Sequence, residues 1–329
     1  MSSIPEQNDA RFPVLVPTLQ IGFYRRLIEA QSEYLLPALL DHVASLDITH
    51  VDKELSSYAG EEKLRQLAKH GLRGELLFSV PYVLSSKPNL IGYYRLVLGF
   101  SQKEFYTSRT FGVFSKMERS GILSEKVSSL LPDLCVSLNT SAWILANQIP
   151  VISQEILNAL ALITLGGQLR GSYNTSVGQI ATKTVFDVIK SILGSSIEVE
   201  TDIYIEIHNA AGRKVRIEFA PDPDIAIREQ LTSGRFNNRI AIEIKGGKDI
   251  SNIHNRLGEA EKSHQKAKEQ GFTQFWTIIN VDYLDPVIAR RESPTTTAFF
   301  NISRITNPLT PEHERFKELL LAELGLKGE

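Results

Sequence analysis

The sequence is poor in the residues that several chemistries require. Its 329 residues include one cysteine, Cys135, which excludes an internal disulfide and a cysteine-rich zinc site and fits a reducing cytoplasm. Seven histidines are present without a close pair; His254 and His264 stand ten apart, whereas paired zinc-binding histidines are usually about three to five residues apart. Gly246-Gly247-Lys248 lacks the upstream glycine of a phosphate-binding loop, and no glycine-rich dinucleotide fingerprint follows a strand. No organic cofactor is therefore expected. The opening MSSIPEQND lacks the basic and apolar regions of a secretory signal. The long uncharged stretch from Leu134 to Gln154 carries Asn139, Asn147, Gln148 and Pro150, which suit a buried helix better than a membrane span. An excess of charge of one sign is also missing. With 36 Lys and Arg against 38 Asp and Glu, the net charge of -2 excludes an indiscriminate polycation.

What is present is a globular composition, 42% hydrophobic, long enough for about two domains. Residues 1–17 contain Pro5, Pro13 and Pro17 and read as an N-terminal arm. Residues 18–170 are expected to be mainly helical: Leu35, Leu36, Leu39, Leu40, Val43 and Leu46 recur at helical spacing, and ILNALALITL is an apolar helical run. From 171 to 329 the pattern changes. SVGQIATKTVFDVIKSIL reads as a helix stopped by Gly194, and IEVETDIYIEIH alternates with period two, as a strand does. RKVRIEF, PDPDIAIRE and NRIAIEIKGG follow as short strands, then a polar amphipathic helix ended by Gly271, then the buried strand FTQFWTIINV. This order predicts an α/β fold in the C-terminal half.

Asp224 opens one of these strands, and Glu243 and Lys245 lie on the next. Residues two apart on a strand share a face, so Glu243 and Lys245 point one way while Ile242 and Ile244 point into the core. If the Asp224 strand pairs alongside, its carboxylate converges on Glu243. Two carboxylates and a lysine suit phosphodiester hydrolysis: hard oxygens hold Mg²⁺, and an ammonium orients or activates the nucleophile. The spacing alone carries little, because an acid two before a lysine occurs twice, at Glu61–Lys63 and Glu243–Lys245. The first lies in EEKLRQLAKH, a solvated helical face. The second interrupts an apolar strand, where charge is costly unless used or paired. An ordinary cross-strand ion pair is the plainer alternative.

PDPDIAI followed by IEIK, in the order helix, strands, helix, strand, resembles the PD-(D/E)xK nuclease core. RGELLFSVPYVLSSKPNLIGYYRLVLGFSQKEFY and AIEIKGGKDISNIHNRLGEAEKSHQKAK are similar to XcyI-type type II restriction endonucleases, and the likeness runs from about Leu19 over most of the chain. It implies a restriction-endonuclease-like core, a mixed central sheet flanked by helices, beside a mainly helical N-terminal half. It further implies a Mg²⁺-dependent homodimer that cuts double-stranded DNA at CCCGGG and leaves 5′-phosphate ends. On that pattern Asp224, Glu243 and the backbone carbonyl of Ile244 hold the metal, and Lys245 serves the attacking water. Asp222 is the rival for the first role; Asp224 is preferred because Ile225, Ala226 and Ile227 continue directly as strand. Related nucleases add a glutamate from the preceding helix. Here Asp187 is the only acid in that helix, so Gln179, Glu155 or no residue fills the place.

Charge is distributed to match. Glu198 to Asp224 holds seven acids and three basic residues, whereas Arg228 to Lys268 holds nine basic residues and five acids. A metal site beside phosphate-binding cations produces such a split. Arg228, Arg235, Arg239, Lys248 and Arg256 flank the motif as DNA-contact candidates, while Lys262, Lys266 and Lys268 fit a solvated helix equally well. Asn252, His254, Asn255 and Arg256 are candidates for reading base edges. A second basic segment, Arg73 to Arg119, is interleaved with aromatics such as Tyr82, Tyr93, Tyr94 and Phe105; it suits a DNA or dimer surface, although most of its aromatics are expected in the core. The rival readings are a structure- or damage-specific nuclease with the same core, and a non-catalytic DNA-binding module whose motif is only an ion pair.

Overall fold

The computed structural model describes residues 17–108, 110–281 and 283–326, and most of the expected N-terminal arm lies outside them. The chain folds as two compact units, divided between Gly171 and Ser172.

Among the described residues, the first unit is built of helices: α1 (Thr18–Glu33), α2 (Leu36–Ala44), α3 (Ile48–Tyr58), α4 (Glu61–Ala68), α5 (Pro81–Ser86), α6 (Ile91–Val97), α7 (Gln102–Thr107), α8 (Ser115–Ser120), α9 (Glu125–Ser128), α10 (Leu131–Gln148) and the start of α11 (Gln154–Leu193). Local chemistry sets many of their ends. Asp47 caps α3 by accepting the Thr49 N–H, and Ser101 and Glu104 form a reciprocal capping box on α7. Pro81 and Pro88 each begin a short helical turn, which explains why the segment around them lacks a sustained period. The stretch read as a buried helix is α10 with the break after Gln148; Leu134, Cys135, Leu138 and Ala142 form its buried face. No helix among the described residues is long and apolar enough to cross a membrane.

The second unit carries a seven-stranded sheet in sequential order: β1 (Ile197–Glu200), β2 (Tyr204–His208), β3 (Lys214–Phe219), β4 (Ile225–Gln230), β5 (Phe236–Lys245), β6 (Gln274–Ile279) and β7 (Ala298–Asn301). The first five run antiparallel, and β5, β6 and β7 run parallel. Parallel neighbours need crossovers, supplied by α12 (Ile253–Glu269) and α13 (Pro286–Glu292); α14 (Ile302–Ile305) and α15 (Pro311–Leu324) follow. The mixed, helix-flanked sheet is the fold the resemblance implies. Its two faces differ. Ile225, Ile227, Ile240, Ile242 and Ile244 pack with Val185, Phe186 and Ile189 of α11 and with Phe316 and Leu320 of α15. On the other face small Ala226 and Ala241 pack with Ala267 of α12.

Two expectations change. IEVETDIYIEIH is a hairpin and not one strand, because Thr201 closes a turn: its Oγ1 accepts the Tyr204 N–H at 3.0 Å. The helix expected to begin after Gly171 starts at Gln154 and runs through Gly166, Gly167 and Gly171. Each glycine costs a helix about 1 kcal/mol relative to alanine, which context overrides here.

Candidate active site

The site forms where β4 begins and β5 ends. Ile225 pairs with Ile242, so Asp224 stands opposite Glu243 one step further along the ladder. Opposed residues in an antiparallel pair have Cβ atoms roughly 5 Å apart. Lys245 follows on the same face as Glu243, as alternation requires. Double glycine at the strand end has a steric cause: a Cβ on Gly246 would lie 2.5 Å from the Ala181 Cβ and 2.9 Å from the Val177 carbonyl oxygen. The end of β5 therefore lies directly against α11.

Hydrogen bonds hold the acids in place. The Ile244 N–H donates to Asp224 Oδ2 at 2.7 Å. Lys245 Nζ donates to Glu243 Oε1 at 2.9 Å and pairs with Glu259 Oε2 at 3.3 Å. Ser263 Oγ lies within reach of Glu243 Oε2, at 2.8 Å, and of Asp222 Oδ1, while Lys266 Nζ pairs with Asp222 Oδ2 at 3.0 Å. Glu259, Ser263 and Lys266 were not singled out from the sequence as site residues. Their i, i+4, i+7 spacing puts them on one face of α12, but only the packing of that helix shows that this face meets the acids.

The charges are unevenly compensated. Burial, reinforced by the charge of Glu243, pushes the Asp224 carboxyl up to about 6 despite the Ile244 hydrogen bond. Burial also acts on Asp222, but hydrogen bonds from Ser263 and Lys266 outweigh it and hold that carboxyl below its usual range. For Lys245 burial disfavours the ammonium, yet Glu243 and Glu259 prevail and raise its pKa, so the side chain stays charged at neutral pH. Asp224 and Ile244 line an open cavity of about 810 Å³, whose opposite wall is the Gln179, Thr182, Lys183 and Asp187 face of α11.

Among the described residues, no group of three or more His, Cys, Asp or Glu side chains is arranged to hold a metal ion. The donors at hand are the carboxylates of Asp224 and Glu243 and the main chain of Ile244, all hard oxygens suited to Mg²⁺. They fit such an ion: two carboxylates face each other, and burial together with the charge of Glu243 disfavours the Asp224 carboxylate, which a divalent cation would stabilise. Asp222, held by Ser263 and Lys266, is already neutralised by protein groups. Gln179 lines the Asp224 cavity, whereas Glu155 lies in the first turn of α11, in the other unit.

The DNA-contact candidates scatter. Arg228 pairs with Glu218 and donates to Asn238 Oδ1 at 3.0 Å, bracing the sheet. Arg256 donates to the Gly247 and Asp249 carbonyl oxygens at 2.6 and 2.9 Å and clamps the loop after β5. Asn252 donates to Asp249, and His254 contacts Glu292 at 2.5 Å. Arg235, in the turn before β5, and Arg239, near the strand's start, are eight and four residues from Glu243, roughly 26 and 13 Å along a strand. Lys248 and Asn255 are exposed near the site's loop. In the earlier basic segment, Tyr93, Tyr94, Phe105 and Phe114 are buried, and Arg95 is a core residue.

A sequence model of the XcyI restriction endonuclease family matches residues 24–327. The type II restriction enzyme XcyI of Xanthomonas campestris pv. cyanopsidis is 45% identical over 320 residues, 96% of each chain. The type II restriction enzyme Cfr9I of Citrobacter freundii is 42% identical over 311 residues, 93% of this chain and 94% of its own.

Proposed function

Because the chain belongs to the XcyI restriction endonuclease family and is a type II restriction endonuclease, we propose that it cuts both strands of CCCGGG as a cytoplasmic, Mg²⁺-dependent homodimer and leaves 5′-phosphate ends. The observation that carries the catalytic assignment is the convergence of Asp224 and Glu243 at the ends of neighbouring strands, with Lys245 beside them. The choice of CCCGGG rests on the family resemblance. A homodimer follows from the palindrome, since two identical sites related by a two-fold axis meet the two strands equivalently.

When bound, Mg²⁺ would supply Lewis-acid polarisation of the scissile phosphate and a more acidic water. Asp224, Glu243 and the Ile244 carbonyl are the groups that would hold it. The Ile244 N–H orients the Asp224 carboxylate by donating to Oδ2, and Ser263 orients Glu243 through Oε2. Lys245, charged and held between Glu243 and Glu259, serves the reaction as a donor: it neutralises a phosphate oxygen and positions the attacking water beside it. This sharpens its role from general activation of the nucleophile, because a lysine whose pKa is raised is a poor proton acceptor at neutral pH.

The test is digestion of a sequenced plasmid with and without Mg²⁺, followed by end mapping. Discrete fragments cut only at CCCGGG, with 5′-phosphates and no product in chelator, are expected. Lys245→Ala should lower cleavage by at least about a thousandfold, roughly 4 kcal/mol of barrier, while sparing site-specific binding. Cutting confined to branched or damaged DNA would favour the structure-specific rival. Retention of DNA without any nicking would favour a binding module.

A further inference from the structure

A second cavity, of about 560 Å³, opens at the C-terminal ends of β6 and β7. Register ties it to the active site: Lys245 pairs with Ile279, and Ile279 pairs with Asn301. Ile279 and Asn301 both line this cavity. At 4.7–4.9 Å per strand, it begins about 5 Å from the backbone of the proposed catalytic lysine and reaches about 10 Å along the same sheet edge.

Its chemistry is the reverse of the Asp224 cavity. Arg290, Arg304 and Arg315 line it, and Glu312 is the one acid among the described lining residues. Glu312 is committed: it pairs with Arg304 at 3.3 Å and accepts the Asn301 N–H at 2.5 Å. Arg315 donates to the Phe299 carbonyl at 3.3 Å and lies over the Phe300 ring at 4.9 Å, with no carboxylate partner among the described residues. Arg290, exposed on α13, has neither an ion pair nor a hydrogen-bond partner for its guanidinium among the described residues. The cavity around Asp224 holds Asp187, Glu200, Asp202 and Asp224 against Lys183 and Lys190, and Lys190 is paired with Glu200. One edge of the sheet thus turns from acidic to basic within a few strands.

We infer that Arg290 and Arg315 hold a backbone phosphate of the duplex being cut, a few base pairs from the scissile phosphate. This rests on the nuclease reading and adds the surface that would hold the polyanion. A guanidinium without a carboxylate keeps its fork of donors for phosphate oxygens, and each phosphate so held releases counterions. Duplex DNA rises about 3.4 Å per base pair, so a cavity reaching about 10 Å along the edge corresponds to a contact roughly three base pairs from the cut.

The experiment places single neutral methylphosphonates, one position at a time, on either side of the cut in a cognate duplex. Binding is measured without divalent metal for the wild type and for Arg290→Gln, Arg290→Lys and Arg315→Gln. At one phosphate two to four positions from the cut, methylphosphonate should weaken the wild type about tenfold or more and Arg290→Gln hardly at all. Elsewhere the two changes should add. Arg290→Gln should also lower the salt slope of log Kd by about one, and Arg290→Lys should retain it. Additivity at every phosphate, or an unchanged salt slope, overturns the inference. A wild type that leaves the cognate duplex uncut when Mg²⁺ is supplied overturns the nuclease reading itself, a separately visible outcome.

Discussion

Two clusters of buried charge, one in each unit, solve the same electrostatic problem differently. In the N-terminal unit Arg95 is fully buried, and Glu118 takes hydrogen bonds from its Nε and Nη2 at 2.8 and 2.7 Å, from Gln102 at 2.7 Å and from Tyr106 at 2.7 Å. Burial opposes the Glu118 charge, but these donors prevail and hold its carboxyl below the usual range. Gly92 leaves room for the arrangement, since a Cβ there would lie 3.1 Å from the Glu118 carboxyl carbon. In the C-terminal unit Asp224 has one backbone donor and faces Glu243, and its pKa rises to about 6. Burial of charge does not by itself mark function. The distinguishing feature is charge left uncompensated by the protein, which a ligand can then complete.

The largest effect is expected at Glu118. Glu118→Leu leaves the Arg95 guanidinium buried without a counter-charge and should cost about 3–5 kcal/mol, seen as a large drop in the urea midpoint. A small change would show that the pair is not what holds this core.

His264 offers a second lever, because it is buried with Nε2 2.8 Å from Thr277 Oγ1 and with Nδ1 unpartnered among the described residues. Burial lowers its pKa from 6.5 to about 4. The folded state therefore binds fewer protons than the unfolded chain between those values. Stability from this group is present above pH 6.5 and is lost as pH falls through about 4, by about 3 kcal/mol in all. His264→Leu should flatten that part of the stability profile measured by urea titration at several pH values; an unchanged slope would count against the assignment.

The smallest effect has the opposite sign. Asp224 is raised from 3.8 to about 6, so its contribution is stabilising below pH 3.8 and is lost as pH rises through 6. At pH 7.5 Asp224→Asn should stabilise the metal-free protein by about 2 kcal/mol, less than the roughly 3 kcal/mol the full shift represents because the half-buried carboxyl is partly screened by solvent, while removing cleavage. Millimolar Mg²⁺ should raise the thermal midpoint of the wild type and leave the variant unmoved. A variant less stable than the wild type would mean that burial and the facing Glu243 do not disfavour the Asp224 carboxylate.

Much of the C-terminal half was legible in the chain because strands announce themselves by period two: IAIEIK alternates, and β5 places its isoleucines and its charged pair on opposite faces. The opposition of Asp224 and Glu243 also follows once β4 and β5 are neighbours. The partners on α12 were not legible, since Glu259, Ser263 and Lys266 look like any solvated helical stripe until the helix crosses over the sheet. Arg256 and Arg228 looked like free cations for the same reason; carbonyls of the loop after β5 occupy one, and Glu218 and Asn238 the other.

The net charge of -2 and the scarcity of cysteine excluded whole classes of chemistry before any fold was considered. Alternation, glycine and proline then set the strands, turns and helix ends, because those signals act over a few residues. Which charges would meet was decided only by the tertiary structure. Electrostatic energy depends on distance through space and on burial, and sheet register and helix placement set both. They satisfied Arg95 in a core, left Asp224 facing Glu243, and aligned Lys245, Ile279 and Asn301 along one edge.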